Sequence, residues 1–434
     1  MAVKLLAVSD LHLGRKSAFI PGNAPEASTR CSWERIVDYA VNHTVDALLL
    51  AGDIVDQDNR YYEATGILQQ GFDTLGQAGI EVFAVGGNHD YEVLPQLLRH
   101  QSSPHVHLLG INGNWETKIL SKNGQKIQFA GWSFPAGSVT ANPLSGFDKD
   151  KINSRLFTIG LLHGDADMTE SNYGPVPLDD LVKTNIQAWV LGHVHKPQIL
   201  HQNNPLIFYP GSPQALSAKE TGSHGVTQLT IENDEEITIR HIPLSPVRYE
   251  HIELDVSHVS NRDDLRKTIT GGIMDHSAHL DHEPGLTAYL VFDIRLAGEH
   301  TDPVRIRAWS EDEIEDYARE TAGGTQLLVR KALSHVRPAV KDLAAWASDP
   351  SPVGKLAETI LAIEKGETNG FIEDMVTEWK IKARELQQAR VYGPLHASER
   401  LENLTEEQAR QYILKESRQL LGTLLAEKEH GING

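Results

Sequence analysis

One cysteine, Cys31, stands among 434 residues. An intramolecular disulfide is therefore excluded, and so is a zinc site built from several thiolates. No run approaches the roughly 18 consecutive apolar residues that a membrane-spanning helix needs. The opening MAVKLLAVSDLHLG is a poor signal sequence: its apolar stretch is short, Asp10 interrupts it, and no small-residue cleavage site follows. Basic residues are also scarce, 40 Lys and Arg against 59 Asp and Glu, a net charge of −19. That balance argues against a free-standing, strongly basic nucleic-acid binder. It leaves a nuclease open, because bound divalent cations and a partner protein supply positive charge locally. The chain shows no internal repeat, no P-loop and no long low-complexity segment. These absences lead to the expectation of a cytoplasmic chain with no membrane association.

What is present is the balance of a globular protein, 40% hydrophobic and 23% charged, long enough for two or three domains. Residues 1–245 read as α/β. Short apolar runs end in polar loops, with helical stretches between them. Strands are expected at Val3–Val8, Ala47–Leu50, Val82–Val85, Ile127–Phe134, Phe157–Leu162 and Ala188–Leu191. Further runs occur at Leu206–Tyr209, Val226–Ile231 and Ile237–Ile242, with Asn233-Asp234 as a hairpin turn. The pattern predicts two packed sheets or one mixed sheet, flanked by helices. A boundary falls near Pro243–Pro246. Residues 246–338 then read as a small α/β cap: strand Glu250–Val256, helix Arg262–Ile273, strand Thr287–Leu296, acidic helix Glu311–Thr321 and strand Gln326–Arg330. Residues 339–434 read as helical, over Lys341–Trp346, Val353–Lys365, Phe371–Ala389 and Thr405–Glu427. Thr405 with Gln408 makes a capping box, and Ile413, Leu420, Leu421, Leu424 and Leu425 recur at helical spacing.

Five short motifs occur in order, each directly after a β-type apolar run. SDLHLG carries Asp10 and His12, and LLLAGDIVD carries Asp53. VGGNHD carries Asn88, His89 and Asp90, LLHGD carries His163, and LGHVHKPQ carries His193 and His195. In an α/β sheet the carboxyl ends of the strands converge on one crevice, so five such loops project their polar residues into one place. Asp10 and His12, like His193 and His195, are two apart and would share a face on an extended segment. Mixed imidazole, carboxylate and amide donors suit Mn²⁺, Fe²⁺ or Zn²⁺. They are more than one ion needs, and two ions roughly 3.5–4 Å apart, bridged by a carboxylate, account for them. A single GNHD or GHVH would be ordinary turn chemistry; five in order, each at a strand end, is not.

At these residues the sequence resembles the calcineurin-like metallophosphoesterase superfamily, and within it the SbcD-type DNA repair exonucleases. The motif match covers about residues 1–215. VDALLLAGDIVD, GNHD followed by Tyr91, and GHVHKPQ followed by YPGSPQ (Tyr209–Gln214) carry the narrower likeness. GDIVDQD and GNHD differ from the GDxVDRG and GNHE usual in the protein serine/threonine phosphatases. The loop QDNRYYEAT after Asp56 lacks the Pro-Ser expected of close SbcD relatives.

The resemblance implies a metallophosphoesterase β-sandwich flanked by helices for residues 1–245, followed by the cap and the helical region. It implies one metal held by Asp10, His12, Asp53 and His195, and another by Asp53, Asn88, His163 and His193. Asp53 would bridge them, and His89 would act on the leaving oxygen without binding metal. Asp90 would orient His89 or simply close its turn. The metals would be two divalent ions, Mn²⁺ foremost, with Fe²⁺ and Zn²⁺ as alternatives. Partners implied are DNA and the coiled coil of an SMC-type ATPase; a homodimer is left open, as is self-packing of the C-terminal helices. The leading expectation is a metal-dependent DNA exo/endonuclease acting in DNA end processing or repair. The alternatives are a small-molecule phosphodiesterase or phosphatase of the same superfamily and a mainly structural subunit.

Overall fold

The computed structural model describes residues 2–22, 24–57, 63–100, 103–168, 170–232, 236–280, 286–315, 317–321, 323–339, 343–387 and 405–431. By its internal packing the chain divides into two compact units. The first comprises Met1–His251, His279–Asp293 and Tyr317–Arg330; the second comprises Ile252–Ala278, Ile294–Asp316 and Lys331–Gly434.

The first unit is a sandwich of two six-stranded sheets. One contains β1 (Val3–Val8), β2 (Ala47–Ala51), β3 (Glu81–Val85), β4 (Val106–Leu108), β11 (Gly225–Glu232) and β12 (Glu236–Pro243), in the order β12-β11-β1-β2-β3-β4. β1 to β4 run parallel, and β11 and β12 form an antiparallel edge. The other contains β5 (Glu116–Lys122), β6 (Gln125–Trp132), β7 (Phe157–His163), β8 (Ala188–Gly192), β9 (Gln198–His201) and β10 (Leu206–Tyr209), in the order β5-β6-β7-β8-β10-β9. β6, β7, β8 and β10 are mutually parallel.

The continuous apolar runs of the sequence follow from this layering. Side chains alternate along a strand, so a strand covered on both faces must be apolar throughout. Leu5, Ala7, Leu49, Phe83 and Val85 pack inward against Phe129, Ile159, Leu161 and Val190 of the facing sheet. Their neighbours Leu6, Val8, Leu48, Leu50 and Val82 pack outward on Trp33, Ile36, Phe72 and Leu75 of helices α1 (Thr29–Asn42) and α2 (Glu63–Gln77). On the far face Trp132, Leu162, Trp189 and Ile207 pack with Val176 and Leu181. β4, β5 and β9 escape the sequence reading; they are short or half-exposed and lack a clear apolar run. The Asn233-Asp234 turn lies outside the described residues, though β11 and β12 pair antiparallel up to Glu232 and Glu236.

Four further strands, β13 (Val247–Asp255), β14 (Tyr289–Ala297), β16 (Ala318–Glu320) and β17 (Gln326–Ser334), form a sheet in the order β13-β14-β17-β16. The short strands β15 (Glu299–His300) and β18 (Arg337–Pro338) pair in parallel. The acidic helix expected at Glu311–Thr321 is corrected. The helix is Pro303–Ile314, started by Asp302, whose side chain accepts from the Arg305 amide at 2.9 Å, and by Pro303 at its first position. The acidic run is therefore its C-terminal part. Residues 318–320 are a strand, because the turn at Gly324 folds them onto β17.

In the second unit the helices Leu343–Trp346, Pro352–Glu364, Gly370–Gln387 and Glu406–Gly431 pack on one another. Ile413 lies among Ala362, Ile363, Ile372 and Val376, and Leu421 among Ala357 and Ile360, while Leu420 stays exposed. The capping box forms: the Gln408 amide donates to Thr405 Oγ1 at 3.1 Å and the Thr405 amide to Gln408 Oε1 at 2.9 Å. Lys341, Asp342, Gln388 and Ala389, included in the expected helices, lie outside the described residues. No helix among the described residues is long and apolar enough to cross a membrane.

Candidate metal centre

β1, β2, β3, β7 and β8 end at one edge of the sandwich. The loops after them bring Asp10, His12, Asp53, Asn88, His89, His163, His193 and His195 together in the first unit. The expected extended segment at Asp10–His12 is corrected. Both residues have left-handed backbones, with φ of 52° and 46°, as does Asp53 at 50°. Their conformation is imposed by loop pairing: the Asp10, His12 and Leu13 amides donate to the Gly52, Asp53 and Ile54 carbonyls at 3.1, 2.9 and 2.9 Å. Such backbone strain, about 1–3 kcal/mol per residue, persists only where the surroundings over-determine it. Close approach is the second local requirement. A Cβ on Gly87 would collide with Asp53, and one on Gly192 with the Ala51 carbonyl and His163.

His163 is fully buried at the end of β7. Its Nδ1 lies 3.0 Å from the Ala51 carbonyl, which can only accept, so Nδ1 carries the hydrogen. Nε2 then faces Asn88 Oδ1 at 3.0 Å and Asp53 Oδ2 at 3.4 Å. Two oxygen acceptors thus converge on Nε2, which meets them as a donor when the ring is protonated and as a fellow ligand when a metal cation takes that proton's place. Burial pushes the imidazole pKa down, but the Asp53 carboxylate more than offsets it, raising it to about 9. Burial correspondingly works to raise the Asp53 carboxyl, and His163, His12 and His89 outweigh it, holding Asp53 well below its usual range.

His195 repeats the pattern. Its Nδ1 donates to Glu220 Oε1 at 2.9 Å, which leaves the Nε2 lone pair facing His12 Nε2 at 3.1 Å, with Asp10 Oδ1 3.9 Å away. Two imidazole nitrogens facing each other beside a carboxylate is again a set of cation ligands. Groups close enough to hold a metal ion are Asp10 with His12 and His195, Asp10 with Asp53 and His163, and His12 with Asp56 and His89. His193 sits differently. Its amide donates to both oxygens of Asp10 at 3.0 and 3.1 Å, while its Nε2 lies 3.3 Å from Asp165 Oδ1.

Asp90 does not orient His89. It is fully buried, and its oxygens accept from the amides of Gly87 at 2.7 Å, Ile54 at 2.7 Å and Val55 at 3.3 Å, clamping two site loops together. The carboxylate beside His89 is Asp56, also buried. Its Oδ2 lies 3.6 Å from His89 Nδ1, 3.3 Å from His12 Nδ1 and 3.3 Å from Arg15 Nη1. Asp56, and then Asp53, hold the His89 imidazole above its ordinary pKa despite burial. Neither Asp56 nor Asp165 was given a role from the sequence, although both lie inside the motifs, at the end of GDIVD and of LLHGD. Glu220 and Arg15 carried no signal. The opening above these groups is a cavity of about 210 Å³ lined by His12, Arg15, Asp53, His89, His193, His195, Leu216, Ser217 and Glu220.

Residues 3–234 match the calcineurin-like phosphoesterase superfamily domain. The chain is 33% identical over 240 residues to the uncharacterized metallophosphoesterase YhaO of Bacillus subtilis, covering 54% of this chain and 57% of that one. It is 23% identical over 296 residues to one subunit of the nuclease SbcCD of Staphylococcus epidermidis, covering 62% and 75%. It is likewise 23% identical over 247 residues to the DNA double-strand break repair protein Mre11 of Methanopyrus kandleri, covering 51% and 52%. The chain thus spans little more than half the length of the first and third of these relatives. With its fold, its clustered acids, amide and imidazoles and a match over more than half its length, this chain belongs to the calcineurin-like phosphoesterase superfamily, whose members use two divalent metal ions.

Proposed function

We propose that the chain is a metal-dependent phosphodiesterase acting on DNA ends, as the nuclease subunit of an assembly with an SMC-type ATPase. The observation that carries the diesterase reading is the convergence of acceptors on His163 and on the His12–His195 pair, which fits two cations. In this reading Asp10, His12, Asp53 and His195 hold one metal, and Asp53, Asn88, His163 and His193 the other. The mixed nitrogen and oxygen donors favour Mn²⁺, with Fe²⁺ and Zn²⁺ as alternatives. When bound, the ions supply an acidified water and neutralise charge on the phosphoryl oxygens.

The protein's own groups do the rest. Hydrolysis forms a bond from water oxygen to phosphorus and breaks the bond from phosphorus to the leaving oxygen, which must take up a proton. His89 lines the cavity, is raised in pKa and is the group assigned to donate that proton from its ring. Asp56 holds the ring, Asp90 fixes the loop that carries it, and Glu220 fixes the His195 tautomer. The DNA reading rests on the likeness to the two DNA-processing relatives.

The decisive experiment assays the purified chain with Mn²⁺ on labelled single- and double-stranded DNA beside bis-p-nitrophenyl phosphate. Cleavage of both supports the proposal. Turnover of the ester alone leaves a small-molecule diesterase, and turnover of neither leaves a structural subunit.

A further inference from the structure

Arg15 is the only arginine or lysine among the described residues lining the 210 Å³ cavity. Its backbone is pinned: its amide donates to the His12 carbonyl at 3.0 Å, and its carbonyl accepts from the Thr29 amide at 3.1 Å and Thr29 Oγ1 at 3.2 Å. One nitrogen of its head, Nη1, lies 3.3 Å from buried Asp56, while the side chain remains 48% exposed. A guanidinium has five N–H donors in a rigid fork, so one anchored edge leaves donors for a second partner. The same Asp56 oxygen that anchors Arg15 also lies against the His89 ring. Arg15 therefore stands on the His89 side of the cavity, which is the leaving-group side if His89 is the proton donor.

The cavity is smaller than the roughly 300–1,000 Å³ of a pocket that encloses a whole ligand. It takes a phosphoryl group and leaves the remainder of the substrate at its rim, where Arg15 stands. A chain of net charge −19 needs local positive charge to hold a polyanion there.

We propose that Arg15 binds a second phosphate of the substrate, the one next to the scissile phosphate on the leaving-group side, and so selects polynucleotides over simple diesters. This rests on the diesterase reading above and specifies what its site recognises.

The test measures KM and kcat for a short single-stranded oligodeoxynucleotide and for ethyl p-nitrophenyl phosphate, which has no second phosphate, across a range of salt concentrations. The proteins are wild type, Arg15→Gln, Arg15→Lys and Arg30→Gln. Arg30 is an exposed arginine paired with Glu34, outside the cavity, and controls for net charge. Arg15→Gln is expected to raise KM on the oligonucleotide about 10-fold or more, with a smaller change on the ethyl ester. It should also flatten the plot of log KM against log salt by about one unit, as loss of one phosphate contact does. Arg15→Lys should restore part of both, and Arg30→Gln should change neither. Wild-type cleavage of the oligonucleotide with unchanged KM and salt slope in Arg15→Gln overturns this inference alone. An uncut oligonucleotide, with the ester still turned over, removes the nucleic-acid reading and this inference with it.

Discussion

The carboxylate of Asp56 lies 3.6 Å from Nδ1 of His89. Its other neighbours include His12 and Arg15, so one buried acid stands between a proposed metal ligand, the proposed proton donor and the only arginine among the described residues lining the cavity. Asp90, adjacent to His89 in sequence, serves backbone amides instead.

Asp56→Asn should leave the fold intact and lower kcat on DNA by about 10–100-fold, the usual effect of losing a carboxylate behind a site histidine. The loss should be smaller on a nitrophenyl ester, whose leaving group departs without a proton. His89→Ala should show the same asymmetry more strongly, at about 10²–10⁴-fold on DNA, while keeping its metals. Rate measurements on both substrates, with metal analysis, decide this; equal losses on the two would remove His89 as proton donor.

Asp90→Ala should act on stability before chemistry. Three backbone N–H groups lose their acceptor at a buried position, and each unsatisfied donor costs about 1–3 kcal/mol. Chemical denaturation should show a loss of at least about 3 kcal/mol, exceeding that of Asp56→Asn. A stability equal to wild type would mean the two loops are held by other contacts.

Metal binding should stabilise the fold in proportion to affinity. At a free Mn²⁺ concentration about 100-fold above Kd, one site adds roughly 2.7 kcal/mol. Wild type should therefore melt at a higher temperature with Mn²⁺ than with a chelator. Asp53→Ala, which removes the proposed bridge, should lose most of that difference and bind well under two ions per chain. A full shift in the variant would sink the bridging assignment.

Away from the metal centre, burial, with His224 and Arg248 nearby, pushes the His241 imidazole down to about 4. In the unfolded chain it titrates near its ordinary 6.5. A depressed folded-state pKa means that stability is fully present above pH 6.5 and is lost as the pH falls toward 4, by roughly 2–3 kcal/mol at most. His241→Gln cannot take up the proton, so its stability should fall less between pH 6.5 and 4. Denaturant titrations at the two pH values check this; parallel losses would assign the acid sensitivity to other groups.

The strands of both sheets were legible because burial on two faces writes an unbroken apolar run such as ALLLA or FTIGLL, and chain polarity then places the residue after each run at one edge. That reasoning reached the places of Asp10, Asp53, His163 and His193. The boundary of the helix Pro303–Ile314 was misplaced because acidic residues suit a helix start, whereas here Asp302 and Pro303, upstream of the acidic run, supply it. What each site residue touches was decided only by the tertiary structure. Glu220 meets His195 across 25 positions, and Asp56 meets His12 from the loop after the neighbouring strand, through loops whose left-handed turns are set by pairing with other loops. The assignment of Asp90 to a backbone clamp and of Asp56 to His89 has the same cause. Periodicity records which side of an element is buried, but the partner of a buried carboxylate depends on how separate chain segments close around it.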